Sequence, residues 1–362
     1  MNNWLLNNGI NWNIEQQNVL KARPNLIVTG CAGSGKTLLA IHLAIKLSSA
    51  GFSIGLIVYT KALRTYITHS LRLLKPNNSI KVFFERQWFY NQVEFDYIIL
   101  DEFQDFSLND ITEIRNYSKE GIYLFGDIEQ TLYEKNLDNE KTISIKELNT
   151  LENFNKIKLL NNFRIPKHVA NLANSVTYND NNKKSLLVNK ELSFLLPEII
   201  RFENQVLEQT WLLEFLKNNM KFKNIGILFN KNEQGGIVHF DEAIFPDANP
   251  EIIPSIKNIF NYLIENGISN IGYKYKTEDN LKFDSDYNIN LLTIHSAKGL
   301  EFDCVILPFC KSSNVYLHAN QIYVALTRCK EHLIITYSGL ILREYSKISK
   351  GLVDGEIRST PF

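Results

Sequence analysis

The chain is short of the features that mark exported, membrane-embedded or disulfide-framed proteins. Its four cysteines, Cys31, Cys304, Cys310 and Cys329, include no C-x-x-C pair. That favours reduced thiols in a cytoplasmic protein over a bonded scaffold. No apolar run approaches the roughly 20 residues of a membrane span. The opening MNNWLLNNGINWN has neither a basic start nor a long apolar core, so no secretory leader and no membrane partner are expected. Charge of one sign is missing too, with 39 Lys+Arg against 39 Asp+Glu. Binding to a polyanion would then need a local groove, because no global field favours it. No solenoid repeat and no low-complexity linker interrupts the chain. Its 362 residues suffice for two domains, at roughly 100–200 residues each.

What is present begins with NLIVTGCAGSGKTLLAIHLA, residues 25–44. Leu26, Ile27 and Val28 read as a buried parallel strand. Gly30 to Thr37 fits G-x-x-x-x-G-K-[ST], and the apolar run after it reads as a helix. Strand, loop and helix in that order are the context in which this pattern signifies a phosphate loop. Gly30, Gly33 and Gly35 allow the tight turn that points backbone N–H groups at an anion, with Ala32 and Ser34 between them. The helix N-terminus adds its positive end. Lys36 would reach the β- and γ-phosphates of ATP, and the Thr37 hydroxyl would hold Mg²⁺. Cys31 fills a variable position of the loop.

Upstream, residues 13–20 read as a short helix, where Gln16 either reads an adenine edge or is an ordinary surface glutamine. Residues 53–59 (SIGLIVY) form a second buried strand ending at Thr60 and Lys61. That end of an open parallel sheet is where ligands gather, although a helix cap followed by a solvated lysine explains both residues equally. The aromatic stretch 81–90 (KVFFERQWFY) favours core packing over base stacking. Residues 95–100 form an apolar strand ending in Asp101 and Glu102. There Asp101 would hold the metal and Glu102 would polarise an attacking water. Residues 121–125 make another strand, followed by GDIEQ, in which Gln130 would sense the γ-phosphate. A first α/β domain is expected over residues 1–156 and a second over 157–362, where strands again alternate with helices. Residues 235–254 read as an irregular surface loop.

Taken together, EQQ, GCAGSGKT, YTKAL, DEFQD, GDIEQTLY, NNFR, HSAKGLEF and YVALTR occur in this order. The sequence resembles the core of the superfamily I helicases of the UvrD/Rep kind, over most of the chain. The resemblance implies two RecA-like parallel-sheet domains in tandem, with ATP between them. It assigns Gln16 to adenine, Lys36 and Thr37 to phosphate and Mg²⁺, Asp101 and Glu102 to metal and water, and Gln130 to the γ-phosphate. Phe163 stands where the family has an adenine-stacking tyrosine. Arg164 and Arg328 match arginines that reach the γ-phosphate from the second domain, and Glu301 matches a ribose contact. Thr60, Lys61, Thr293, His295 and Ser296 match positions facing a single strand; His295 by itself would read as a buried structural histidine.

Two departures temper the resemblance. Tyr133 is followed by Glu134, Lys135 and Asn136, so one base-stacking platform is missing or replaced. Only 39 residues separate Lys61 from Asp101, and 20 separate Gly267 from Asn288, too few for the family's two large inserts. The resemblance implies an ATP-dependent helicase or translocase acting on single-stranded nucleic acid, moving 3′ to 5′, with DNA favoured over RNA. The alternative is a nucleic-acid-gated ATPase that serves a nuclease or another repair or anti-phage defence subunit without processive unwinding.

Overall fold

The computed structural model of the chain describes residues 10–74, 79–127, 142–151, 153–176, 187–188, 195–219, 221–230, 254–276, 278–283, 285–310, 319–339 and 354–358. These form two compact units, one running to Arg164 and including residues 187–188, the other from Ile165 onward. Among the described residues, no helix is long and apolar enough to cross a membrane.

The first unit runs α1 (Ile14–Lys21), β1 (Leu26–Gly30), α2 (Lys36–Ser49), β2 (Ile54–Val58), α3 (Lys61–Leu74), β3 (Ile80–Phe84), α4 (Glu85–Asn91), β4 (Phe95–Asp101), α5 (Leu108–Asn116), β5 (Ser118–Gly126), α6 (Ile145–Thr150) and β6 (Asn155–Leu159). The strands form one sheet in the order β3-β2-β4-β5-β1-β6, with parallel pairing throughout. Every residue of β2 is buried, as an apolar run covered on both faces requires. Because β5 lies between β4 and β1, the carboxyl ends of three strands stand side by side. Thr29 pairs with Gly126, and Asp101 with Phe125. This register brings the phosphate loop and the acid pair to one edge.

The aromatic stretch divides between core and surface. Trp88 is fully buried, with its ring 5.5 Å from that of Phe83. Tyr90 is 90% exposed. The strand expected to open the second half, residues 156–160, is instead the edge strand β6 of the first sheet, paired along its length with β1. The compact units therefore divide at Arg164 and Ile165, with the NNFR segment in the first. Within that segment β7 (Asn161–Asn162) pairs in parallel with β8 (Leu187–Val188).

The second unit contains α7 (Lys167–Val176), β9 (Glu198–Phe202), α8 (Gln205–Asn218), β10 (Asn224–Phe229), α9 (Ile256–Glu265), β11 (Ile271–Tyr275), β12 (Glu278–Asp279), β13 (Asn288–Thr293), β14 (Phe302–Leu307), α10 (Ala319–Leu326), β15 (Cys329–Ser338) and β16 (Asp354–Arg358). Its sheet has the order β12-β11-β13-β10-β14-β15-β9-β16. The pairing is parallel except in the β11/β12 hairpin. Trp211, Phe202, Phe229, Leu263 and Ile306 fill its core. Glu208 on α8 is fully buried there. Its Oε1 accepts from Phe309 N at 2.7 Å and from Thr336 Oγ1 at 2.6 Å, tying the ends of β14 and β15 together. The expected surface loop at 235–254 lies outside the described residues except Pro254, as do Gln130 and Tyr133.

Candidate functional site

The loop from Gly30 to Gly35 is held by its neighbours as much as by its own turn. Gly33 and Gly35 have φ of +78° and +87°, which side-chain-bearing residues adopt only at a cost. A Cβ on Gly33 would also meet Asn162 Oδ1 at 2.1 Å, so glycine is required there twice over. Lys36 is buried, and its Nζ donates to the carbonyls of Gly30 at 2.7 Å and Cys31 at 3.0 Å. The ammonium thus lies inside the curve of the loop. The Ser34 hydroxyl is buried without a hydrogen-bond partner among the described residues, an orphan that a bound polar group would satisfy. Burial pushes the Cys31 thiol up, against the opposing pull of Lys36, so it is a poor nucleophile.

Gln16 is nearly buried and tied into the loop. Its Nε2 donates to Ser34 O at 3.2 Å, and its Oε1 accepts from Asn13 N at 3.1 Å. Gln16 N in turn donates to Asn13 Oδ1 at 2.8 Å, which completes a capping box at the start of α1. The amide braces the loop whether or not it also meets a base.

The acid pair stands across from the loop. Thr37 Oγ1 donates to Asp101 Oδ2 at 2.7 Å, and both acids are buried. Burial, reinforced by the neighbouring Glu102, holds the Asp101 carboxyl above the usual carboxylate range. Glu102 has φ +57° and ψ +42°, a left-handed conformation uncommon for a residue with a side chain. Among the described residues no cluster of three or more His, Cys, Asp or Glu forms a metal cage. One hydroxyl and one buried carboxylate within hydrogen-bond distance nevertheless suit Mg²⁺, which takes few protein oxygens and completes its shell with phosphate and water. The residues present fit that ion.

The NNFR segment joins this site from within the same unit. Phe163 N donates to Gly33 O at 3.0 Å, and Arg164 N donates to Asn162 Oδ1 at 3.0 Å. Asn162 is fully buried, whereas Phe163 is 43% exposed, as a residue offering a stacking surface needs. Arg164, expected to reach over from the second domain, is therefore placed beside the phosphate loop by its own compact unit.

The remaining strand ends are arranged differently. Thr60, at the end of β2, caps α3 by accepting from Leu63 N at 3.2 Å, and Lys61 is the first residue of that helix. In the second unit, Thr293 Oγ1 accepts from Ser296 N at 3.1 Å and donates to Ser296 Oγ at 3.1 Å. His295 Nε2 lies 3.1 Å from Gln321 Nε2. Burial, with Lys298 nearby, lowers its pKa. Glu301 lies 4.0 Å from Lys330, whose closer partner is Asp303 at 2.6 Å. Arg328 is buried, with Nε donating to Val324 O at 3.1 Å, Nη1 to Leu300 O at 3.3 Å and Nη2 to Thr327 Oγ1 at 3.4 Å. Gln104 and Asn162 are the residues that motif reading passed over. Both sat inside quoted motifs, DEFQD and NNFR, without a role.

A phosphate loop at the end of β1, an acid pair at the end of β4 with β5 between the two strands, and a second, largely parallel sheet define a nucleotide-binding P-loop NTPase with tandem RecA-like units. The family can be stated more closely. The profile of the viral superfamily 1 RNA helicase core domain matches residues 26–209, and that of the UvrD-like helicase C-terminal domain matches residues 288–336. The chain belongs to the superfamily 1 helicases.

It is 31% identical over 121 residues to replicase polyprotein 1ab of Alphamesonivirus 1, covering 32% of this chain and 2% of that one. It is 37% identical over 78 residues to the RecBCD enzyme subunit RecB of Chlamydia trachomatis, covering 20% and 8%. The chain thus spans a small part of the length of the curated relatives it matches. Among solved structures, the arterivirus nonstructural protein 10 helicase aligns with a TM-score of 0.44 at 14% identity, covering 89% of this chain and 61% of that one.

Proposed function

We propose that this chain is an ATP-driven translocase on single-stranded nucleic acid, with DNA the favoured polymer and 3′ to 5′ the direction. The observation that carries the reading is the bond from Thr37 to buried Asp101, with Glu102 beside it. It sets the hydroxyl of the loop against the acids as nucleotide hydrolysis requires. The loop amides and Lys36 bind the triphosphate. Glu102 accepts a proton from water as the water oxygen attacks the γ-phosphorus and the bond to the β–γ bridging oxygen breaks, giving ADP and phosphate. Mg²⁺, held by Thr37 and Asp101, would neutralise charge on the β- and γ-oxygens. Phe163 offers a face to adenine, and Arg164 stands by the loop to meet developing charge. Arg328 must exchange its carbonyl partners before it can do the same. A relative named as a probable DNA helicase II homolog, from Mycoplasma pneumoniae, supports DNA, and the viral RNA helicase profile supports RNA.

The test is steady-state ATP hydrolysis without nucleic acid and with single-stranded DNA, single-stranded RNA and duplex, with Lys36→Ala as blank. Strong stimulation by one single strand supports the motor and names the polymer. Turnover indifferent to all of them overturns the nucleic-acid track.

A second reading is favoured by the spans 61–101 and 267–288. The first holds only α3, β3, α4 and β4 among its described residues, and the second only β11 and the short β12. A core without large insertions suits a cytoplasmic regulatory ATPase that works with a nuclease or another repair or defence subunit. Sustained strand displacement by the isolated chain rules that reading out.

A further inference from the structure

We propose that Gln104 is a positioning residue: its amide orients the Glu102 carboxylate and ties it to the end of β5. This deepens the reading above, since it rests on Glu102 receiving the proton of the attacking water.

Three observations meet at this side chain. Gln104 is fully buried, with Nε2 donating to Glu102 Oε2 at 2.5 Å and Oε1 accepting from Asp127 N at 2.9 Å. Reversing the amide would set oxygen against carboxylate and N–H against N–H, so its neighbours allow one orientation only. Glu102 itself is in the left-handed region, which for a non-glycine residue persists only where surrounding contacts hold it. Two backbone bonds help, Glu102 N to Asp101 Oδ1 at 3.1 Å and Asp105 N to Glu102 O. Neither touches the carboxylate. The third observation is the bareness of the strand opposite. A Cβ on Gly126 would lie 2.2 Å from Gln104 Oε1 and 2.7 Å from the Phe103 ring. The end of β5 has no side chain where the amide lies.

A carboxylate anchored through one oxygen presents the other in a set direction, and a general base is worth most when its direction is set before the reaction. The same amide fixes the backbone of Asp127, three residues before Gln130 in the sequence. A displacement at that strand end therefore reaches Glu102 through one rigid planar group. The bond needs the donor face of the amide towards Glu102 and the acceptor face towards Asp127. A side chain that only filled space would need neither.

The test compares the full chain with Gln104→Met, Gln104→Glu and Gly126→Ala, under the nucleic-acid condition that stimulates it most. Three quantities are read: kcat for ATP, the Kd of a fluorescent ATP analogue, and the melting temperature. Methionine removes both bonds. Glutamate keeps the acceptor for Asp127 and replaces the donor with a second carboxylate. Alanine at 126 displaces the unaltered amide. We expect kcat to fall by roughly 10–100-fold in all three, with nucleotide Kd within about threefold of the unaltered chain. Gln104→Glu should be at least as slow as Gln104→Met. Should Gln104→Met fail to fold, Gln104→Glu and Gly126→Ala decide. Unchanged kcat in the folded variants overturns the proposal, as does a loss of kcat matched by equal losses of nucleotide affinity and melting temperature. Absence of hydrolysis by the unaltered chain would overturn the underlying reading instead, whatever the variants do.

Discussion

Two parallel sheets end in motifs of similar style, yet their strand ends are prepared differently. Beyond β1 and β4 the groups are constrained and charged: Gly33, Gly35 and Glu102 all have positive φ, and Asp101 is buried beside a second acid. Beyond β13 and around β15 the corresponding groups are satisfied by their own unit. Thr293 caps Ser296, His295 meets Gln321, and Arg328 bonds to Val324, Leu300 and Thr327. The first edge is a receptacle built ahead of its ligand, and its strain and repulsion are what a bound ion or phosphate would relieve. The second is a set of polar groups already bonded within their own unit, which must change partners before acting. Similar architecture therefore does not make equivalent sites; how fully each polar group is satisfied separates them.

The sharpest way to break the first edge is Lys36→Ala. It should abolish nucleotide binding or cut phosphate release by about 10³-fold or more, as loss of a principal phosphate charge does. Glu102→Gln should leave ATP binding intact while lowering turnover by roughly 10²–10⁴-fold. Wild-type turnover in that variant would remove Glu102 from the chemistry. Arg328→Ala probes the other edge. Hydrolysis should slow by about 10³-fold with nucleotide affinity little changed. The protein should also lose about 1–3 kcal/mol in denaturant unfolding, because the carbonyls of Val324 and Leu300 lose a buried donor. A stability loss with unaltered turnover would make Arg328 purely structural and the contrast complete.

A smaller effect concerns pH. Burial and then Glu102 raise the Asp101 carboxyl above its ordinary value, so the unliganded folded protein keeps a proton that the unfolded chain releases near pH 4. Stability should therefore fall as pH rises from about 4 up through the raised folded value. Asp101→Asn should remove that slope. It should also raise the melting temperature at neutral pH by roughly 2–4 °C, for about 1 kcal/mol of relieved destabilisation, although activity is lost. An unchanged slope across a pH series of melting curves would contradict this. The smallest effect is at the surface: Tyr90→Ala, at a 90% exposed position, should shift stability by less than about 0.5 kcal/mol.

Local patterns carried most of the first unit. β1, the loop and α2 were legible because a buried strand, positive-φ glycines and an apolar helix are written within one contiguous stretch. β3 was hidden in an aromatic stretch that reads as core in preference to a base-stacking surface, and it packs there in part, Phe83 against Trp88. β6 was assigned to the wrong sheet, since KIKLL looks alike whichever strand it joins. In the second unit the alternation of strands with helices was legible, but β11, β12 and β16 were not. Gln130, a central expectation, lies outside the described residues.

The sequence by itself determined the class of chemistry. Glycines, Lys36 and Thr37 must be near one another along the chain to make a phosphate loop, and an apolar strand running into Asp101 and Glu102 is equally local. Only the tertiary structure decided which sheet takes β6, which unit carries Arg164, that Gln104 links Glu102 to Asp127, and that Arg328 is engaged by carbonyls of its own unit. The pairing of β6 with β1 and the bonds from Asp127 N to Gln104 and from Arg328 to Leu300 O join groups far apart in the chain, and no spacing along a chain encodes which distant partner a buried donor will find.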